Sequence, residues 1–238
     1  MLKVIAQNPV NVTCHTTFYG DTTVNSIADD VNVCVLQGTL CVEESVGNGV
    51  RITQSFGMSP PFGLCYGFFC KFTGCLSLYA QPGVTILGTT GEGVRIHSGG
   101  SVSFETGGNT AYIRALGNVS ADSLGQYSYI WAKGSVHIAD RIHSGVTIDS
   151  CAYLTCLTIG REVSVTSQGG VFCTSIAERC SIHALENIST EYVGKFSLLK
   201  AANISCRTQH ELAQLQSNKL VIVDTATDVQ NPIVASTL

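Results

Sequence analysis

Charge is what this chain has least of. Asp, Glu, Lys and Arg together make up 13% of its 238 residues, about half the share usual in globular proteins. The formal net charge is −4, so the chain as a whole carries no electrostatic footprint for nucleic acid. No stretch approaches the ~18 uninterrupted apolar residues of a spanning helix, which argues against a helical membrane protein. Lys3 is followed only by Val4-Ile5-Ala6 before Gln7 and Asn8, too short for the apolar core of a secretory signal. No nucleophile elbow and no phosphate-cradling loop before a helix is found. Proline is limited to 5 residues, whereas glycine reaches 24 and hydrophobic residues 45%. That is ample core material for a folded protein, and the balance predicts β-structure with many tight turns.

Eleven cysteines, at 14, 34, 41, 65, 70, 75, 151, 156, 173, 180 and 206, form a poor disulfide framework. Their number is odd and they are spread along the chain. Free thiols of this kind behave as small hydrophobes. A reducing, cytoplasmic setting is therefore expected.

A repeat organises the rest. Val84-Thr85-Ile86, Val102-Ser103-Phe104, Val119-Ser120-Ala121, Val136-His137-Ile138, Leu154-Thr155-Cys156, Val171-Phe172-Cys173, Ile188-Ser189-Thr190 and Ile204-Ser205-Cys206 start 16 to 18 residues apart. Phe68, Val50 and Val33 extend the series backwards at the same spacing. A second set interleaves half a turn later: Val94–His97, Ala111–Arg114, Ser128–Trp131, Val146–Asp149 and Val163–Thr166. Within each unit apolar and polar residues alternate, the mark of a strand with one buried face. Glycines such as Gly83, Gly93, Gly134, Gly145 and Gly170 precede the strands, where a left-handed corner is expected.

Strands this short, with no room for crossover helices, predict an all-β, single-stranded parallel β-solenoid of about 17 residues per turn. Residues 31–206 form the solenoid in this reading, and residues 1–30 a cap or lead-in strand. The inward columns place Cys70, Cys156, Cys173 and Cys206 in the core. Thr85, Ser103, Ser120, His137, Thr155, Phe172, Ser189 and Ser205 form an outward ladder. Thr208-Gln209-His210-Glu211 has the form of a capping box, so a short capping helix is expected over the last turn, followed by a strand at 220–223 and a tail to 238. Val136, Ile142, Ile148 and Leu154 also fit the six-residue spacing of a left-handed hexapeptide helix, but that spacing breaks at Gly160.

The unit Leu157-Thr158-Ile159-Gly160-Arg161-Glu162-Val163-Ser164-Val165-Thr166, a strand, a glycine, a charged pair and a strand, resembles the repeat of bactofilins. The resemblance covers residues 84–206 and rests on period and pattern. It implies a small β-helix and a polymer-forming, cytoskeletal role.

Several constellations have residue types that could carry chemistry. Arg95, Tyr112, Tyr129 and Thr147 should stack in one outward column, with His97, Arg114, Trp131 and Asp149 in the next. Arg beside exposed aromatics is typical of protein interfaces and of sugar platforms. The plainer alternative is a ladder held by ring and cation–π stacking between turns, with no ligand. Glu105, Asp122 and Asp140 recur on successive turns as carboxylates of polysaccharide hydrolases do, but they fall at corners where acidic residues are ordinary. Cys65, Cys70 and Cys75 are spaced too widely for a zinc knuckle. Arg-Ile-His-Ser-Gly occurs at both 95–99 and 141–145 without a nucleophile to frame it.

The expectation is a non-enzymatic scaffolding protein with no cofactor and no metal. It would self-associate, with the apolar start Leu2, Val4 and Ile5 seeding end-to-end stacking, and it would offer the face at Arg95, His97, Tyr112, Arg114, Tyr129, Trp131 and Asp149 to a protein partner. The alternative is a carbohydrate-binding or carbohydrate-active β-helix of a phage tail or secreted virulence module.

Overall fold

The structure, a computed structural model, describes residues 10–55 and 83–222. Within them the chain is an all-β parallel solenoid of about eleven coils, each stacked on the one before. At ~4.8 Å per coil, the first and last coils lie about 48 Å apart. All strand pairings are parallel.

Burial divides each coil into three short sides. In the fourth coil, side A (Arg95–Ser98) buries Ile96 and Ser98. After a corner at Gly99-Gly100, the strand Val102–Gly107 buries Val102 and Phe104 on side B. It then swings Glu105 and Thr106 outward and buries Gly107 at the start of side C. A turn leads back to side A one coil later. Side A runs through Thr16–Tyr19, Asn32–Leu36, Arg51–Ser55, Arg95–Ser98, Tyr112–Ala115 and Tyr129–Ala132 in coils 1 to 6. Because side A pairs with side A in strict register, like stacks on like: Ile52, Ile96, Ile113, Ile130 and Ile148 form one buried column. Where the column changes size, its neighbour compensates. Phe104 sits below Ala121, while Gly107 sits below Leu124. A Cβ on Gly107 would lie 3.0 Å from both the Phe104 ring and Leu124.

Corners are clamped by polar side chains that accept a backbone N–H of the following coil. Asn48 Oδ1 accepts from Glu92 N at 2.8 Å, Asn109 Oδ1 from Gln126 N at 2.9 Å, and Asn118 Oδ1 from Ser135 N at 2.9 Å. The turn before side A is left-handed in nine successive coils, at Asp30, Gly49, Gly93, Thr110, Tyr127, Gly145, Glu162, Arg179 and Phe196. Of the glycines expected at left-handed corners, Gly93 and Gly145 are so placed (φ +69° and +71°). Gly83, Gly134 and Gly170 are instead tight against the neighbouring coil.

Two expectations are corrected. First, Val33 and Val50 do not belong to the column of Val84. Leu40 pairs with Val84 and Val42 with Ile86, whereas Val33 stacks on Ile52 and then Ile96. In sequence, residues 56–82 fall between side A and side B of the third coil, so their 27 residues break the 17-residue count, while Arg51–Ser55 pairs directly with Arg95–Ser98. Buried Gln54 closes this corner, donating to Gly38 O and accepting from Ser98 Oγ and Gly99 N. Phe68, Cys70 and the Cys65/Cys70/Cys75 group lie outside the described residues, as do Leu2, Val4, Ile5, Val223 and the tail. Second, among the described residues there is no capping helix. Leu198–Gln209 runs on through sides A to C, and after a turn Gln214–Ile222 pairs with it in parallel from Leu198↔Gln214 to Cys206↔Ile222. Leu215, Leu220 and Ile222 stack over Leu199, Ile204 and Cys206, and an open strand edge rewards a further strand with ladder hydrogen bonds that a helix lacks. The Thr208 hydroxyl donates to Glu191 O in the preceding coil instead of capping. The recurring pentapeptides at 95–99 and 141–145 occupy different places in the coil: Arg95 lies on side A, Arg141 at the corner leading to side C.

Thr110 is exposed and β-branched yet left-handed, with φ +55°. A left-handed L-residue costs about 1–2 kcal/mol, and glycine gives back about 0.5–1 kcal/mol through its freer unfolded chain. Thr110→Gly should therefore stabilise the fold by about 0.5–1 kcal/mol, read as a raised urea midpoint. A lowered midpoint would contradict the assigned backbone.

Candidate functional site

Side A of coils 3 to 7 carries the most distinctive surface. Register places Arg51, Arg95, Tyr112, Tyr129 and Thr147 in one outward column, and Thr53, His97, Arg114, Trp131 and Asp149 in the next. The residues singled out in the sequence are thus brought together by the alternation of the strands and the 17-residue step. Arg51 and Thr53 were missed, because residues 56–82 hide their register. A signal was present: Gly49-Val50-Arg51-Ile52 repeats as Gly93-Val94-Arg95-Ile96.

The two columns are knitted diagonally. The His97 and Tyr112 rings stack at 5.6 Å between centroids, and Tyr112 stacks on Tyr129 at 5.1 Å. The Arg114 guanidinium lies 4.9 Å over the Trp131 ring. Tyr129 Oη donates to Asp149 Oδ2 at 2.9 Å. Burial, this hydrogen bond and the Asp149 charge push the Tyr129 phenol up to about 12. Burial, then the Arg114 and Arg95 charges, hold His97 below its ordinary value of 6.5, so it is neutral at pH 7. The stacked Tyr rings spend their faces on one another. What they present outward is their edges, the electropositive part of an aromatic ring.

Other candidates are not brought together as chemistry would need. Glu105 and Asp122 are exposed on adjacent coils, and Asp140 follows in the next. Cys156 and Cys173 sit one above the other, partly buried against the core, and Cys206 is fully buried. A hydrogen bond with Cys173, then burial, holds the Cys156 thiol protonated, well above the ordinary thiol range. His137 shares a hydrogen bond of 2.6 Å with Thr155 in the outward ladder of side B. Among the described residues no group of three His, Cys, Asp or Glu is arranged to hold a metal. The described residues form no helix, and so none long and apolar enough to cross a membrane. Two depressions of about 230 and 400 Å³ lie along the last three coils, lined by residues such as His183, Lys200 and Gln216, and Asn203, Lys219 and Val221.

Two measurements check the electrostatics of side A. Asp149→Ala removes both the hydrogen bond and the charge on Tyr129, so ultraviolet titration should show that phenol falling from about 12 toward its ordinary 10, short of it because burial remains. His97 binds its proton more weakly in the folded chain than in the unfolded one. Acidification through pH 6.5 therefore favours unfolding, and the loss levels off below the folded-state value. Urea midpoints should fall between pH 7.5 and 5, and His97→Gln should flatten that slope.

No known protein family, curated protein or solved structure matches the chain.

Proposed function

We propose that the chain is a non-enzymatic scaffolding solenoid that self-associates end to end. The observation carrying this reading is the state of its last coils. Gln214–Ile222 uses one edge to pair with Leu198–Cys206, and among the described residues no strand pairs with its other edge. Leu215, Leu220 and Ile222 are only partly buried there. Two buried polar atoms without a partner, Gln209 Oε1 and Ser217 Oγ, both fall in these last coils. An orphaned buried polar group costs about 1–3 kcal/mol. In earlier coils the serine equivalent to Ser217 is satisfied: Ser150 Oγ donates to Gly134 O and Ser167 Oγ to Ala152 O.

At the other end, Thr16–Tyr19 pairs with Asn32–Leu36 on one edge, and Phe18 is likewise only partly buried. All coils run in the same sense, so the last coil of one copy meets the first coil of the next as a parallel neighbour. Such a head-to-tail contact does not close on itself and builds a filament. Bactofilin-like polymerisation is the form of this reading that the pattern at 157–166 suggests.

Mass in solution should rise with protein concentration, and negative-stain microscopy should show rods longer than one copy. Leu220→Asp places a charge on the open end and should leave single particles. Solenoid coils contact only their neighbours, so its circular dichroism should stay that of the parent. A parent chain that is monomeric at all concentrations and salts would overturn the reading.

A further inference from the structure

Charged residues are few here, and they are segregated. In coils 7 to 10 they pair within the chain at the turn before side A. Arg161 meets Glu178 at 3.0 Å, Lys195 meets Glu178 at 3.3 Å, and Arg179 meets Glu162 at 3.4 Å. Coils 2 to 6 are different. Arg51, Arg95 and Arg114 are exposed on side A, and among the described residues none has a carboxylate within ion-pair distance. Glu44, Glu105 and Asp122 are exposed at the corner between sides B and C in coils 2, 4 and 5, without a cationic partner among the described residues; in the sixth coil the same corner carries Asp140 beside exposed Arg141, where the acidic run ends. In a three-sided coil that corner lies opposite side A. The molecule therefore has a basic flat side and an acidic ridge on opposite flanks, although its net charge is only −4.

We infer that side A is a docking surface for the acidic ridge of a second copy of this chain, so that solenoids pack side by side. Three observations fit this occupant. The ladders share one pitch, since both are set by the coil spacing of ~4.8 Å. A simple sideways shift puts Arg95 of the fourth coil level with Glu105 of the same coil, and Arg114 of the fifth level with Asp122. The basic side also presents aromatic edges beside its guanidiniums. Those edges favour carboxylates, while the mutual stacking of Tyr112 and Tyr129 withholds the ring faces that sugars or bases would need. Flat side and ridge are different surfaces, so each copy has one of each and the contact repeats into a raft. This contact is separate from the end-to-end one and does not depend on it.

The test uses the full chain carrying Leu220→Asp, in which end stacking is blocked. Its sedimentation mass should exceed one copy at low ionic strength and fall to one copy in high salt, because exposed charges are screened. Adding Arg95→Glu with Arg114→Glu should abolish the low-salt association, and so should adding Glu105→Arg with Asp122→Arg. Mixing the two swapped proteins should restore it, since the acidic side A of one then meets the basic ridge of the other. That restoration also shows that both variants are folded. Association that survives either swap, or a mixture that stays single, would overturn the proposal. So would a chain that is single at low salt yet binds a sulfated polysaccharide through Arg95 and Arg114, which would assign side A to a polyanion instead.

Discussion

The structure depends on one constraint: each coil must hand its backbone hydrogen bonds to the next in parallel register, in step along side A and shifted only at bulges where side B turns toward side C. On side B the inward residues donate forward, Val102 N to Asn118 O and Val119 N to Ser135 O, both at 2.9 Å. On side A the outward residues donate backward, Tyr112 N to Val94 O and Tyr129 N to Ala111 O, both at 2.8 Å. Two residues in each strand thus tie a coil to both neighbours. A slip of one residue would turn the isoleucine column outward and the arginines inward. Corners inherit the same rule, which is why the amides of Asn109 and Asn118 reach one coil forward to a backbone N–H.

Register also explains why so little charge goes so far. A position repeated every coil becomes a line of side chains ~4.8 Å apart. A line of like charges at that spacing is costly unless it is broken by other residues or offset by partners. The chain does both. On side A, Arg51 and Arg95 give way to Tyr112 and Tyr129, and Arg114 lies over Trp131. At the turn before side A, acidic and basic residues of adjacent coils pair. The acidic ridge is interrupted by Gly88 between Glu44 and Glu105, at a coil where the strand is also interrupted. Arg51, Arg95 and Arg114 on side A, and Glu44, Glu105 and Asp122 at the opposite corner, are the exposed charges among the described residues of coils 2 to 5 that these devices leave without an ion pair.

Much of this was legible from spacing alone. From Val84 onward the columns of sides A and B can be written from the 17-residue step, which makes Arg114 and Trp131, and Tyr129 and Asp149, near neighbours, whereas the buried column of side C, Leu124, Ile142 and Ile159, was not read. Before Val84 the same arithmetic misassigned Val33 and Val50. Residues 56–82 fall in the sequence between side A and side B of the third coil, and a period counted through them assigns side A residues to side B. The repeated Gly-Val-Arg-Ile at 49–52 and 93–96 was the better guide, since it carries chemistry as well as spacing. The capping box at 208–211 was misleading for a related reason. Helix capping is a local signal, and a bare parallel edge beside Gln214–Ile222 supplies a competing set of hydrogen bonds that no local pattern records.

What the sequence determined by itself was the solenoid: alternation sets which face is buried, and the period sets which residues stack. Those are properties of neighbouring residues and of one repeating length, so they survive reading along a line. Tertiary structure decided what that line cannot carry. It set the flank on which each column lies, the opposition of the basic side to the acidic ridge, and the orphaned Gln209 and Ser217 in the last coils. Each of these depends on how the coil bends at its corners, and the bend is a compromise among all three sides.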